Sequence, residues 1–116
     1  MIARITTVSF KGVEAIRIAV EVQISAGLPA FKIVGLPEKA VTESGERVRA
    51  ALNSIGLGLP PKRITINLAP ADIIKEGSHF DLPIAVALLC AMEVLPTNKL
   101  QHYTVMGELG LDGRVA

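Results

Sequence analysis

Four side chains able to hold a metal or pass a proton fall within one short stretch: Asp72, Glu76, His79 and Asp81. Their spacing matches no standard ligand set, and Asp81 stands directly before Leu82-Pro83, where a carboxylate is wanted to cap a helix. A solvated connection ending in a helix cap is the better reading, and no metal is expected. Between them Gly77 and Ser78 form a candidate anion-binding loop, since backbone N–H groups before a helix can donate to a phosphate. Farther away, Arg47, Arg49, Lys62 and Arg63 are candidate DNA-binding residues, able to contact phosphates if the helix carrying the first two ends near the last two. Against this, the arginines sit beside Glu43 and Glu46 and no exposed aromatic platform accompanies them, which also describes an ordinary solvated face. His102, next to Tyr103, reads as a surface residue. No glycine-rich loop ending in lysine and serine or threonine occurs, so this chain is not expected to hydrolyse ATP.

The elements that must position these residues follow from periodicity. Ile64-Thr65-Ile66-Asn67-Leu68 alternates as a strand does, and Pro70 stops it by removing a backbone donor. A long irregular crossover leads to Asp81, after which the run through Met92 is apolar on every face and predicts a central, buried helix. Before this segment, Ala3 to Phe10 predicts an opening strand, Lys11-Gly12 a turn, and Ala15 to Ser25 a second strand with Ile16, Ile18, Val20, Val22 and Ile24 on one face. Phe31 to Val34 predicts a short third strand. Pro37 and Glu38 suit a helix start and Gly56 a stop, giving a helix over 38–54 with Val41, Gly45, Val48, Leu52 and Ile55 as its apolar stripe. Tyr103 to Leu109 predicts a further strand, Gly110 to Gly113 a turn, and Arg114-Val115-Ala116 the opening of another strand. Leading strands next to one another predict antiparallel pairing, and the later helices predict crossovers. The fold class is α+β: a two-layer sandwich with helices on one face of a mixed sheet.

Composition sets the limits. The chain has 116 residues, enough for one domain with one core. Half of them are hydrophobic, with one Tyr, three Phe and no Trp, so that core is aliphatic. A net charge of +1 gives no global pull toward nucleic acid or acidic lipid, and any such contact must be local. The longest apolar run is too short to span a bilayer and no signal core opens the chain, so the expected location is the cytoplasm, without a membrane partner. Cys90 lacks a partner thiol and reads as a buried, inert residue. So much apolar surface on so short a chain predicts that part of it is covered by another domain or subunit, as in a piece of a longer protein.

Three stretches in order, GLPEKAVTESGERVRAAL, ITINLAPADIIKEGSHFDLPIA and MGELGLDGRV, resemble the N-terminal domain of the ComM/YifB family of magnesium-chelatase-like AAA+ ATPases. The resemblance implies the fold shared by the Lon protease domain, GHMP kinases and a ribosomal-protein domain. It makes residues 1–116 a single Lon-like accessory domain, cut off at its C-terminal end. It implies an ATPase module elsewhere in the same polypeptide, using ATP and Mg and forming a homo-hexamer that promotes DNA branch migration in natural transformation. This chain itself would carry no cofactor and no enzyme activity. Aligned with the Lon nucleophile motif, Lys75-Glu76-Gly77 match, Ser78 falls on a proline, and His79 falls on the serine nucleophile. The partner lysine of the Lon dyad would lie beyond the segment aligned with Gly107 to Val115. A serine one residue away cannot share the geometry of base and oxyanion donors. The alternatives are a diverged Ser/Lys peptidase domain, or a phosphate- or nucleotide-binding domain built on Gly77.

Overall fold

The computed structural model describes residues 2–116. Strands β1 (Ile2–Lys11), β2 (Glu14–Ser25) and β3 (Ala30–Val34) precede helix α1 (Glu38–Ser54). Strand β4 (Arg63–Ala69), helix α2 (Asp81–Ala91) and the short helix α3 (Thr97–Leu100) follow. The sheet order is β1-β2-β4-β3, with β1/β2 and β2/β4 antiparallel and β3/β4 parallel. The expected antiparallel pairing of consecutive strands therefore holds for the first hairpin only. β4 enters between β2 and β3 because a strand returning through a helix lands parallel to the one it left.

Alternation decides which face is covered. Ile18, Val20 and Val22 of β2 and Ile64, Ile66 and Leu68 of β4 are fully or almost fully buried and face the helices. Arg4, Glu21 and Asn67 lie on the opposite, uncovered face, where Arg4 and Asn67 both donate to the Glu21 carboxylate. α1 lays Ser44, Gly45, Val48, Ala51 and Leu52 on the core. Ile55, expected in that stripe, is instead the C-cap and is exposed, since the helix has already ended beneath it. α2 is buried on most of its surface, as its lack of a polar face requires, and packs on β1, β2 and α1. The core is aliphatic apart from Phe80, and Cys90 is buried and unpaired. Gly35 allows β3 to turn into α1: its φ is +102°, and a Cβ there would stand 2.5 Å from the Leu68 carbonyl oxygen.

The stretch after α3 does not form the expected strand over 103–109. It makes single bridges, Thr104 to Thr6 in parallel and Leu109 to Val115 in antiparallel sense. Its amides are divided among different partners: Val105 N–H donates to Thr6, and Gly107 N–H to the carbonyl of His79. The Gly107 carbonyl in turn accepts from Leu82. Among the described residues no helix is long and apolar enough to cross a membrane.

Candidate functional site

The segment between β4 and α2 carries the chemistry-bearing residues, and Asp81 is its centre. The helix starts at Asp81, but its N-cap is Phe80, with no side-chain cap bond. The expected capping role is thus replaced by a tertiary one. The fully buried Asp81 carboxylate accepts from Ser44 Oγ at 2.6 Å, Arg47 Nε at 2.5 Å, a second Arg47 nitrogen at 3.1 Å and the Leu109 backbone N–H at 3.1 Å. One acid therefore ties α1, α2 and the C-terminal stretch together. A buried carboxylate is tolerable only when its lone pairs are used and a cation is near, and both conditions are met here. The bond to Asp81 raises the pKa of Arg47 above its ordinary value against the opposing effect of burial. Arg47 also lies 3.9 Å from Glu43. Ser44 and the Leu109 amide carry no sequence signature of this role, which depends on residues 37 and 28 positions from Asp81.

His79 is held, not poised. Its Nε2 lies 2.7 Å from the Val8 carbonyl oxygen, which can only accept, so Nε2 carries the proton. The ring packs against Phe80, with centroids 4.2 Å apart, and Phe10 at 5.8 Å. Gly77 lies under this ring with φ +101°, and a Cβ there would come within 2.9 Å of His79 Nδ1.

Lys75 is buried, and its ammonium donates to the carbonyls of Pro70 at 2.7 Å and Ile73 at 2.8 Å. Burial lowers its pKa from the ordinary lysine value, and Asp72 opposes the shift. The lysine closes its own loop. A cleft of about 380 Å³ opens between this loop and the start of α1, lined by Gly77 and Ser78 together with Lys39, Arg47, Glu43 and Glu76. The candidate anion loop faces that cleft, but Glu43 lies 3.9 Å from both Lys39 and Arg47 and offsets their charge. These residues do not fit ATP with magnesium. Among the described residues no group of three His, Cys, Asp or Glu side chains is placed to hold a metal ion.

The four basic residues separate. Arg47 is spent on Asp81, whereas Arg49 and Lys62 line one groove at the free edge of β3, with Arg63 following at the start of β4. The Arg49 guanidinium lies 4.5 Å from the Phe31 ring centroid, a stacking that sequence spacing did not reveal.

The residues that meet at Asp81 come from separate sequence stretches, and comparison with known proteins finds the same ground covered. The family profile described as "Subunit ChlI of Mg-chelatase" matches residues 20–116. The chain belongs to this family. It is 57% identical over 102 residues to protein YifB of Escherichia coli K12, covering 88% of this chain and 20% of that protein. It is 48% identical over 104 residues to the competence protein ComM of Haemophilus influenzae, covering 90% of this chain and 20% of ComM. A Mycobacterium tuberculosis H37Rv relative, Rv2897c, is 40% identical over 114 residues, covering 98% of this chain and 23% of the relative. The chain thus spans about one fifth of the length of these curated relatives. Family membership fits the small α+β domain with a mixed sheet described above.

Proposed function

We propose that this chain is a non-catalytic accessory domain of a magnesium-chelatase-like AAA+ ATPase, working beside the ATP-hydrolysing module of the same polypeptide during DNA branch migration. On this reading the full protein is a cytoplasmic homo-hexamer, and ATP and Mg are bound outside this chain. The carrying observation is how the motif residues are used. Asp81 accepts from Ser44, Arg47 and the Leu109 amide, His79 binds the Val8 carbonyl, and Lys75 binds its own loop. The side chains of Ser44, Arg47, Lys75, His79 and Asp81 are committed to holding backbone and helices in place. His79, where the Lon-like alignment would want a nucleophile, has no hydroxyl and a fixed ring. The competence name of the Haemophilus relative supports the DNA context.

The test uses the full-length polypeptide with and without residues 1–116. Basal ATP hydrolysis is expected to survive the deletion, while movement of a branched DNA substrate falls at least tenfold. Undiminished branch migration without the domain would overturn the accessory role. Labelling of the intact protein on this domain by a serine-reactive phosphonate would overturn its non-catalytic character.

A further inference from the structure

Three apolar side chains from two separate segments are left in the open at one end of the sheet. Phe10 and Val13 belong to the β1–β2 hairpin and Ile74 to the connection between β4 and α2; all three are exposed, Val13 wholly and Ile74 for the greater part. Single exposed apolar residues are ordinary, but here Phe10 and Ile74 line one hollow of about 400 Å³ together with Ile16 and Ile73. Val13 stands at the hairpin tip, next to Gly12, which also lines it. The charged residues of the lining are Lys11 on the hairpin and Asp72 and Glu76 on the connection. The connection is fixed on both sides of Ile74. Ser9 Oγ donates to the Ile74 carbonyl at 3.0 Å, and the buried Lys75 donates to the carbonyls of Pro70 and Ile73. The backbone is held to β1 and to itself while the Ile74 side chain stays in solvent.

We propose that this hollow, bordered by Phe10, Val13 and Ile74, is the face on which the rest of the same polypeptide docks. This rests on the reading above that an ATP-hydrolysing module accompanies the domain in one polypeptide, and it names the surface through which the two would meet. Length argues for that occupant. The matched segment is 20% of YifB and 20% of ComM, which leaves four fifths of each relative outside it. A tethered body meets the domain at a high effective concentration, which favours it over a free partner. A loop already fixed loses little conformational freedom on docking, so apolar area exposed there is turned into binding more fully than on a mobile loop. Two carboxylates against one lysine leave the rim acidic, so the docking segment brings apolar side chains to the hollow with a basic residue beside them. A second copy seated hollow to hollow would bring two acidic rims together.

The experiment is photo-crosslinking in the full-length protein, with a benzophenone side chain introduced at position 74, at position 13, or at position 28 as a control. Leu28 is at least as exposed as Ile74 but lines no part of this hollow. Peptide mapping is expected to place the adducts from 74 and 13 on residues beyond 116 of the polypeptide, with few adducts from 28. Adding I74D to the position 13 probe should lower its adduct yield about fivefold or more, while L28D leaves it within about twofold. Thermal melting is recorded for both variants, and the position 74 probe, which needs no second substitution, decides the matter if I74D disturbs the fold. Adducts from 74 confined to residues 2–116 of another copy would overturn the proposal in favour of a contact between copies. A yield from 28 equal to that from 74, or no adduct from 74, would also overturn it. If the form lacking residues 1–116 loses branch migration while 74 gives no adduct beyond 116, this face fails and the accessory reading stands. If 74 crosslinks as expected but the deleted form migrates DNA like the native protein, the docking face stands and the accessory role fails.

Discussion

Replacing Asp81 by Ala should cost about 4 kcal/mol of folding stability, a figure set by what the substitution leaves behind. The carboxylate is fully buried and accepts from three residues, so D81A orphans the Ser44 hydroxyl, the Leu109 amide and the Arg47 guanidinium together. Removing one partner of a buried ion pair costs roughly 3–5 kcal/mol, because the remaining charge stays desolvated. The Arg47 side chain is 23% exposed, so water partly rescues it and brings its share down to about 2 kcal/mol. The Ser44 hydroxyl and the Leu109 amide each add about 1 kcal/mol as polar groups left without a partner. A loss of about 4 kcal/mol is a large part of the roughly 5–15 kcal/mol that holds a typical domain together. At this chain length it should lower the melting temperature by roughly 10–20 °C. D81N keeps the shape and one acceptor oxygen but places an amide where an oxygen accepted, and should cost about 2–3 kcal/mol. S44A, which leaves Arg47 paired, should cost about 1–2 kcal/mol. Urea unfolding of the 116-residue chain gives these values, and hydrogen exchange at the Leu109 amide gives a local reading, since its protection should fall in D81N before the β4 amides respond. A double-mutant cycle of R47Q with D81N should show coupling of about 1–3 kcal/mol. A D81A loss below about 1 kcal/mol, or no coupling to Arg47, would refute the reasoning.

Lys75→Met removes the donor to two loop carbonyls and should destabilise by about 1–3 kcal/mol at neutral pH. Because burial lowers the folded-state pKa of Lys75, the unfolded chain binds more protons up to the ordinary amine value of about 10.4. Native stability therefore gains with rising pH in that window, and the gap to K75M must widen in urea titrations; a narrowing gap contradicts the assignment. Thr7→Val removes a fully buried hydroxyl with no hydrogen-bond partner in the protein while keeping the β-branched shape, and should raise stability by about 1 kcal/mol in thermal unfolding. A clear loss would show that the hydroxyl is satisfied. The Arg4 hydrogen bond lowers the Glu21 pKa, an effect opposed by burial and aided by Asn67, so its stabilisation is present above the unfolded value near 4.5 and lost as pH falls through the lowered folded value. R4Q should thus cost about 0.2–1 kcal/mol at neutral pH and nothing in strong acid, and a difference that persists in acid would break the argument.

What could be read from sequence was what local rules decide. The alternation of Ile18, Val20 and Val22 could describe only a strand with one covered face, and the span from Pro37 to Gly56 bounded α1 at the residues observed. The all-apolar run after Asp81 fixed α2 as the central helix. Illegible features depended on partners far away in the chain. The place of β4 between β2 and β3 is a pairing choice that no single strand encodes. Asp81 met every local requirement of a helix cap, yet Ser44, Arg47 and the Leu109 amide offered donors in a buried site, where a charge-assisted bond is stronger than at a helix end open to water. The stretch over 103–109 has the composition of a strand, but its amides go to Thr6 and His79, and no continuous ladder remains. Among the basic residues, sequence could name the set but could not show that an acid had already claimed Arg47.

The same competition explains why the segment from Lys75 to Asp81 keeps polar residues. An irregular connection beside a buried helix has backbone groups that must be satisfied, because exposing them to the core without partners is costly. Lys75 satisfies the carbonyls of Pro70 and Ile73, His79 satisfies Val8, and the His79 carbonyl receives Gly107. Gly77 is required beneath the imidazole because a side chain there would collide with it. A serine at position 79 would withdraw the imidazole from between Phe10 and Phe80 and leave the Val8 carbonyl without its donor, so it would loosen the segment before it could act as a nucleophile. The polar residues persist as the means by which a long connection is held rigid. Rigidity at this point fixes α1 against α2 through Asp81, and with α1 it fixes the side of the domain on which Arg49 meets Lys62.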